Sequence, residues 1–399
     1  MKHTIIGGGL AGLTAANALA DAGPQGGHGV TVFEQSERLG GRAITRDHSG
    51  FRMNVGPHAL YRAGAAHRKF AEWKIPFSGR SPDLRGGRAF LIHGGALHPF
   101  FVNFSGLVKH PWFSFREKIE LMRVMRSFST PQNPRERSIS EWIANRTSSE
   151  KVAQYLAAMV RLSTFCADQE QLSAARALAQ IRLALTASVL YLDGGWQTLV
   201  DGLAERARSR GVEFVTERVD HVDRVEAGAI VAVPPAEVER VTSAKLPTLR
   251  SSRMACLTLG LRSVPENSAR FALGVDQSIY LSVHSDWAKV AENGKVLVHL
   301  GKYLRHDEHD DLAHRSEMES FADFAMPGWR QEIEAIQFLP NMTVTHGFAS
   351  VEGRPDIDAV DGVKIAGDWV GDEGMLTDSA VASAMRAAES VQSKRAHAA

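Results

Sequence analysis

The chain has 399 residues, 44% hydrophobic and 23% charged, with a formal net charge of +1. That balance fits a globular protein with a sizeable core and, with no long Lys/Arg block, gives no electrostatic reason to expect nucleic acid as a partner. Cys166 and Cys256 stand far apart without a C-x-x-C spacing, so neither a disulfide framework nor a zinc site is expected.

The first forty residues carry the most specific pattern. Thr4 to Ile6 predicts a short strand, and Gly7, Gly9 and Gly12 fill the positions of G-x-G-x-x-G. The first glycine permits a tight turn and the second lets the backbone approach a pyrophosphate. The third lets the next helix, about Ala11 to Asp21, pack closely on the sheet. That helix aims its N-terminal N–H groups at the phosphates. Val30 to Phe33 predicts a second strand ending at Glu34, whose carboxylate suits ribose hydroxyls and repels a 2′-phosphate. Pro24 to Gly29 reads as a lengthened surface turn. Lys2 and His3 before an apolar run imitate a secretory leader, but the glycine spacing argues for folded structure. No run approaches bilayer-spanning length, and a cytoplasmic location is expected.

Residues 81–190 read as mostly helical, with helices over Glu117 to Phe128, Lys151 to Phe165 and Gln171 to Leu190. Within them, residues 98–115 (HPFFVNFSGLVKHPWFSF) are unusually aromatic. They read as core, or as a surface that touches a membrane or lines the entrance for an apolar substrate. Gly194-Gly195 then predicts a turn, Trp196 to Arg210 a helix and Gly211 its cap. Short strands are expected over Val219 to Val222 and Ala229 to Val233, closed by Pro234-Pro235. Residues 254–304 alternate like sheet. His306 and His309 lie among acids without a ligand spacing, which reads as a solvated helix start, and no metal is expected. Near residue 345 the nucleotide fold returns, with a strand, the Gly367-Asp368 turn and an Ala-rich helix.

These segments resemble the flavin-containing amine oxidase superfamily, which includes protoporphyrinogen oxidases and phytoene-desaturase-like enzymes. The match rests on the glycine motif with Glu34 and RLGGR at 38–42, on LDGGWQTLVDGLAERARSRGVEF at 192–214, and on AGDWVG at 366–371. The resemblance implies an α/β fold: a discontinuous Rossmann-like FAD-binding domain (1–80, 191–245, 345–399) and a second α+β substrate domain (81–190, 246–344). It assigns Gly40, Gly41 and Arg42 to the FAD pyrophosphate and the Val219 backbone to the adenine. Gly367 and Asp368 take the ribityl chain and phosphate, and Thr377 begins a helix aimed at the flavin ring.

The chain departs from that pattern in several places. Ser36 replaces an arginine common after the ribose acid, and the hairpin at 223–228 is abbreviated. The C-terminal region lacks the cysteine some relatives use to tether FAD, so noncovalent binding is expected. The lysine that amine oxidases hold beside the flavin has no counterpart in context, although Lys245, Lys295 and Lys302 exist. The remaining resemblance leans to the phytoene-desaturase-like branch. Its MNVGPHALYR segment places Gly56, Pro57 and His58 near the reacting face, with Tyr280 and His284 as substrate contacts on one strand face. His58 reads either as a catalytic or orienting imidazole or as a histidine satisfied by backbone in a turn. For Tyr280 and His284, ordinary sheet residues are the competing reading. No second G-x-G-x-x-G for NAD(P)H occurs. The expected reaction is hydride transfer from a substrate C–H to flavin, forming C=C or C=N, with reoxidation by oxygen or a quinone. The alternatives are amine oxidation releasing hydrogen peroxide, and a flavoprotein using FAD without net redox change.

Overall fold

The computed structural model describes residues 3–22, 29–128, 137–222, 228–309 and 311–396. The turn expected at 24–29 and the hairpin at 223–228 fall almost wholly outside those residues.

A five-stranded parallel sheet gathers segments from remote parts of the chain. Its strands run in the order Glu213–Thr216, Val30–Glu34, His3–Ile6, Ile230–Val231 and Lys364–Ile365. Both faces are covered, which is why Ile5, Ile6, Val30 and Val32 read as a continuous apolar set rather than alternating. The helix Leu10–Ala22 packs beneath the sheet with Leu13, Ala15, Ala16 and Leu19 buried. Its small residues let it lie between the helices Gln197–Ser209 and Leu376–Ala396. Asn17, buried on that helix, donates to the carbonyls of Leu13 and Leu203 at 2.8 and 2.9 Å, so its amide is not left unpaired. In such sheets a ligand binds at the carboxyl ends of the strands, where the order reverses. Here that point follows Ile6.

A seven-stranded mixed sheet forms the second layer. Its order is Ile333–Thr345, Ser252–Leu261, Val296–Leu304, Ile279–Val283, Phe271–Gly274, Ala89–His93 and Ala96–Pro99. All its pairings are antiparallel except the one joining Phe271–Gly274 to Ala89–His93. Strand alternation divides two cores. Ala255, Leu257, Leu259 and Leu261 face the helix Asp311–Ala325, whereas Met254 and Cys256 face the helices Phe115–Phe128, Ile139–Ala144, Glu150–Thr164 and Ala174–Ala187. Both cysteines are free and buried. Among the described residues, no helix is long and apolar enough to cross a membrane.

Four local expectations need correction. The helix expected to reach Leu190 stops at Ala187, where Ser188 turns to positive φ and Val189–Leu192 becomes a strand. Val219 to Val222 is not a strand; the pairing strand is Glu213–Thr216, after which the chain leaves the sheet and lines the cavity with Glu217, Arg218 and Val219. Pro234-Pro235 does more than end a strand, because Pro235 opens the helix Pro235–Thr242 at a position that needs no N–H. His284 is not in a strand; it starts the 3-10 turn His284–Asp286 just past Val283.

Candidate active site

The carboxyl ends of the parallel strands open into a cavity of about 400 Å³ that extends toward the second sheet. At one end lie Gly7, Gly9 and Glu34. Gly7 adopts φ +106°, and a β-carbon there would sit 2.5 Å from the Ala232 carbonyl oxygen. Gly12 does not line the cavity; a β-carbon on it would collide with the Gly7 carbonyl, so it sets how closely helix meets strand. Gly9 has no heavy atom within 4 Å of where a β-carbon would stand. That open cradle at a helix N-terminus is the shape a phosphate group requires. Glu34 lines the wall with one carboxylate oxygen accepting from the Gly8 N–H at 2.7 Å and the other from Ser36 at 3.0 Å. Val219 also lines the cavity, and its carbonyl accepts from Arg240 at 3.0 Å.

The middle of the cavity is built around one ion pair. Gly40 donates to the Gly8 carbonyl at 2.9 Å, fixing the Gly40-Gly41-Arg42 turn beside the glycine loop. Arg42 then reaches Asp368 at 2.9 Å and the Val344 carbonyl at 2.6 Å. Burial alone would raise the Asp368 carboxyl, but Arg42 outweighs it and holds the group below its ordinary range. Gly367 is fixed from the C-terminal helix, where the Ser383 hydroxyl accepts from its N–H at 3.0 Å and donates to its carbonyl at 2.9 Å. Thr377 lines the cavity in that helix's first turn, anchored because Asp378 accepts from the Ala66 N–H at 2.8 Å.

Pro57 and His58 form the far wall with Phe165, Trp196, Met342 and Leu376. His58 Nδ1 lies 2.9 Å from the Gly56 carbonyl and donates to it in the neutral tautomer this contact favours. Burial, opposed by hydrogen bonds to the Gly56 and Arg42 backbone and reinforced by the Arg42 charge, lowers its pKa to about 4, so the ring is uncharged near neutral pH. Gly56 itself stands behind the wall against Met342 and Cys256. Phe165 and Leu376 both hold positive φ, 57° and 55°, unusual for bulky side chains and costing about 1–3 kcal/mol each, so the conformation persists only because the surroundings enforce it.

Some expected contacts are not assembled here. Tyr280 and His284 do not line the cavity: Tyr280 stacks near Tyr303 at 5.7 Å, and His284 lies flat on Tyr191 at 4.0 Å. Residues 98–115 do not line it either. No lysine stands among the described lining residues. Lys302 is buried in pairs with Glu308 and Glu317, Lys295 pairs with Glu334, and Lys245 is exposed. No cluster of three potential metal ligands occurs among the described residues; His306 pairs with Asp168 at 2.9 Å. Sequence reasoning missed Phe165, Trp196, Arg240, Met342 and His346. Only Trp196, directly after the Gly194-Gly195 turn, carried a local signal.

The family description that matches, over residues 10–245, is "Flavin containing amine oxidoreductase". An L-amino-acid oxidase from Naja atra is 50% identical over 62 residues, 15% of this chain and 11% of that protein. A carotenoid 3,4-desaturase from Haloarcula japonica is 43% identical over 68 residues, 17% of this chain and 13% of that protein. The matches thus span little more than a tenth of those curated relatives. An oxidoreductase structure from Methanosarcina mazei superposes over 98% of this chain and all of its own, with TM-score 0.78 and 19% identity, which shows a shared fold.

Proposed function

This chain belongs to the flavin-containing amine oxidoreductase family, and on that premise we propose that it is an FAD-dependent oxidoreductase acting on a small, largely apolar substrate. The observation that carries the reading is the continuous cavity joining the Gly7–Gly9 cradle, the Arg42–Asp368 pair and the His58 wall. FAD bound there would supply the two-electron acceptor for a hydride leaving a substrate C–H, forming C=C or C=N.

The chain's own residues bind and orient. The helix after Gly9 and its N–H groups would favour the pyrophosphate, and Glu34 at the cavity wall would accept from a ribose. Gly40, Gly41, Arg42, Gly367, Asp368 and Thr377 would hold the remainder of the cofactor, with Val219 beside the adenine. No cysteine lines the cavity, which supports noncovalent binding. His58, neutral and fixed by Gly56, would orient a substrate rather than act as a charged acid. Phe165, Met342 and Leu376 present apolar surface beside it, which excludes water and suits an apolar substrate.

A second reading, amine oxidation, is favoured by the L-amino-acid oxidase match, although no lysine among the described residues reaches the cavity wall. The test is anaerobic. Purified protein carrying FAD is mixed with carotenoid-type and other apolar C–H donors, then with an amine and amino-acid panel. Bleaching of the flavin band by apolar donors supports the proposal. Bleaching by amines alone, with peroxide released in air, selects the second reading. A colourless protein that takes up no FAD overturns both, and bound FAD that no donor reduces points to a non-redox use.

A further inference from the structure

We propose that the surface formed by the short helix Phe104–Lys109 and the start of the helix Phe115–Phe128 docks this protein onto the anionic headgroup surface of a lipid bilayer. It is independent of the proposed chemistry, because none of these residues lines the cavity.

Nine large hydrophobic residues are exposed among those described, and five of them fall within residues 97–115. Scattered exposed apolar residues are ordinary, whereas clustering marks a contact surface. Val102 is 45% exposed, Phe104 45%, Val108 56% and Phe115 77%. Phe104 and Val108 are four residues apart on one helix and so share a face. The Lys118 ammonium donates to the Val108 carbonyl at 2.8 Å, tying the start of the second helix to the end of the first. Phe115, one turn before Lys118, is held in the same neighbourhood.

This surface is built, not frayed. Leu107, Phe101 and Phe113 are buried beneath it. The Asn103 side chain caps the short helix by accepting from Gly106 at 2.8 Å. The aromatic segment therefore divides by position: its inward rings are core, and its outward ones face solvent.

Charge selects the partner. Residues 98–128 contain Lys109, Arg116, Lys118, Arg123 and Arg126 against only Glu117 and Glu120. Both carboxylates are engaged within the fold. Glu117 accepts from Ser114 and Ser149 and lies 3.7 Å from Lys151, and Glu120 accepts from Thr147 and Ser148. Lys109, Arg116, Arg123 and Arg126 are exposed. Exposed apolar residues and exposed cations in one segment, with its carboxylates engaged inside the fold, complement anionic headgroups above an acyl boundary. An apolar protein partner would not require the cations.

The test is co-sedimentation of the purified full chain with vesicles of phosphatidylcholine alone and of phosphatidylcholine mixed with phosphatidylserine. The protein should sediment with the mixed vesicles more than with the neutral ones. The double variant Phe104→Ser with Phe115→Ser should lower partitioning about tenfold or more on the mixed vesicles. Lys109→Glu with Arg116→Glu should lower it about tenfold or more on the mixed vesicles and leave the neutral ones unchanged. An unchanged Tm confirms that these exposed replacements preserve the fold. Absence of sedimentation with the mixed vesicles, or variants that bind like the parent, overturns the proposal. So does a dimer in light scattering that Phe115→Ser converts to monomer without vesicle binding, since the patch would then be a self-interface.

Discussion

Acid should destabilise this protein through buried imidazoles, and His299 is where the effect can be isolated. Its side chain is 0% exposed in the strand Val296–Leu304, with Nδ1 2.9 Å from the Thr258 hydroxyl and the His284 ring 4.4 Å away, edge to face. Burial, with His58 repelling a second positive charge, lowers its pKa from 6.5 to about 3. The unfolded chain therefore takes up a proton that the folded chain refuses. The stability is fully present above about pH 6.5 and is lost as pH falls toward 3, at about 1.4 kcal/mol per pH unit while only the unfolded form is protonated. Going from pH 7 to pH 5, one such histidine costs about 2 kcal/mol, a large part of a typical stability of about 5–15 kcal/mol. His284, also held well below 6.5 by burial, adds in the same direction. Urea unfolding of the parent and of His299→Gln at pH 7 and pH 5 separates this slope from the absolute cost of the replacement. The variant should lose about 2 kcal/mol less than the parent over that interval. Parallel losses would refute the assignment of a proton to His299.

Three further outcomes test the site. Gly12→Ala places a β-carbon against the Gly7 carbonyl, which cannot yield, and should cost about 3 kcal/mol, read from urea unfolding, whereas Gly9→Ala meets no neighbour and should leave the Tm intact while weakening FAD titrated into apoprotein. A normal Tm in Gly12→Ala would contradict the close approach of helix and strand. Asp368→Asn removes the buried partner of Arg42 and should lower stability at pH 7 by about 1–3 kcal/mol, a difference that disappears only as acid protonates the depressed parent carboxyl. Equal unfolding midpoints at pH 7 would count against it. Because His58 is neutral with a pKa of about 4, flavin-reduction rates of the parent and His58→Gln should vary alike between about pH 6 and pH 8, and a limb near neutrality present only in the parent would restore a proton-transfer role.

How much of this was legible in the sequence depended on the range of the interaction. The turn at Gly7, the approach at Gly12 and the acid at Glu34 follow from backbone geometry within a few residues, so spacing alone located them. Val219, which the family resemblance assigns to the adenine, lines the cavity although the strand expected over Val219 to Val222 does not form, because it lies just past the end of Glu213–Thr216. Alternation put Tyr280 on a defined strand face, but alternation does not say what that face meets. Tyr303 and the helical layer lie there instead of the cavity. Phe165 was invisible because its place depends on a left-handed cap ending the helix Glu150–Thr164, and Met342 because it arrives on a strand from the far side of the molecule.

The distribution of the site along the chain has an energetic consequence. Arg42 joins Asp368 and the Val344 carbonyl, so one guanidinium connects the glycine-loop neighbourhood, the long strand Ile333–Thr345 of the second sheet and the C-terminal turn. Those contacts exist only when both layers are assembled, and an unfolded chain cannot form the cavity from segments more than three hundred residues apart. A ligand that binds this cavity therefore binds only the folded state, and it stabilises that state by about 2.7 kcal/mol at a hundredfold excess over its Kd. Where the cavity takes FAD as proposed, folding and cofactor binding would be linked through the same ion pair. Weakening Arg42–Asp368 should then lower both the unfolding midpoint and the gain in midpoint on adding FAD, whereas Gly9→Ala should reduce only the gain.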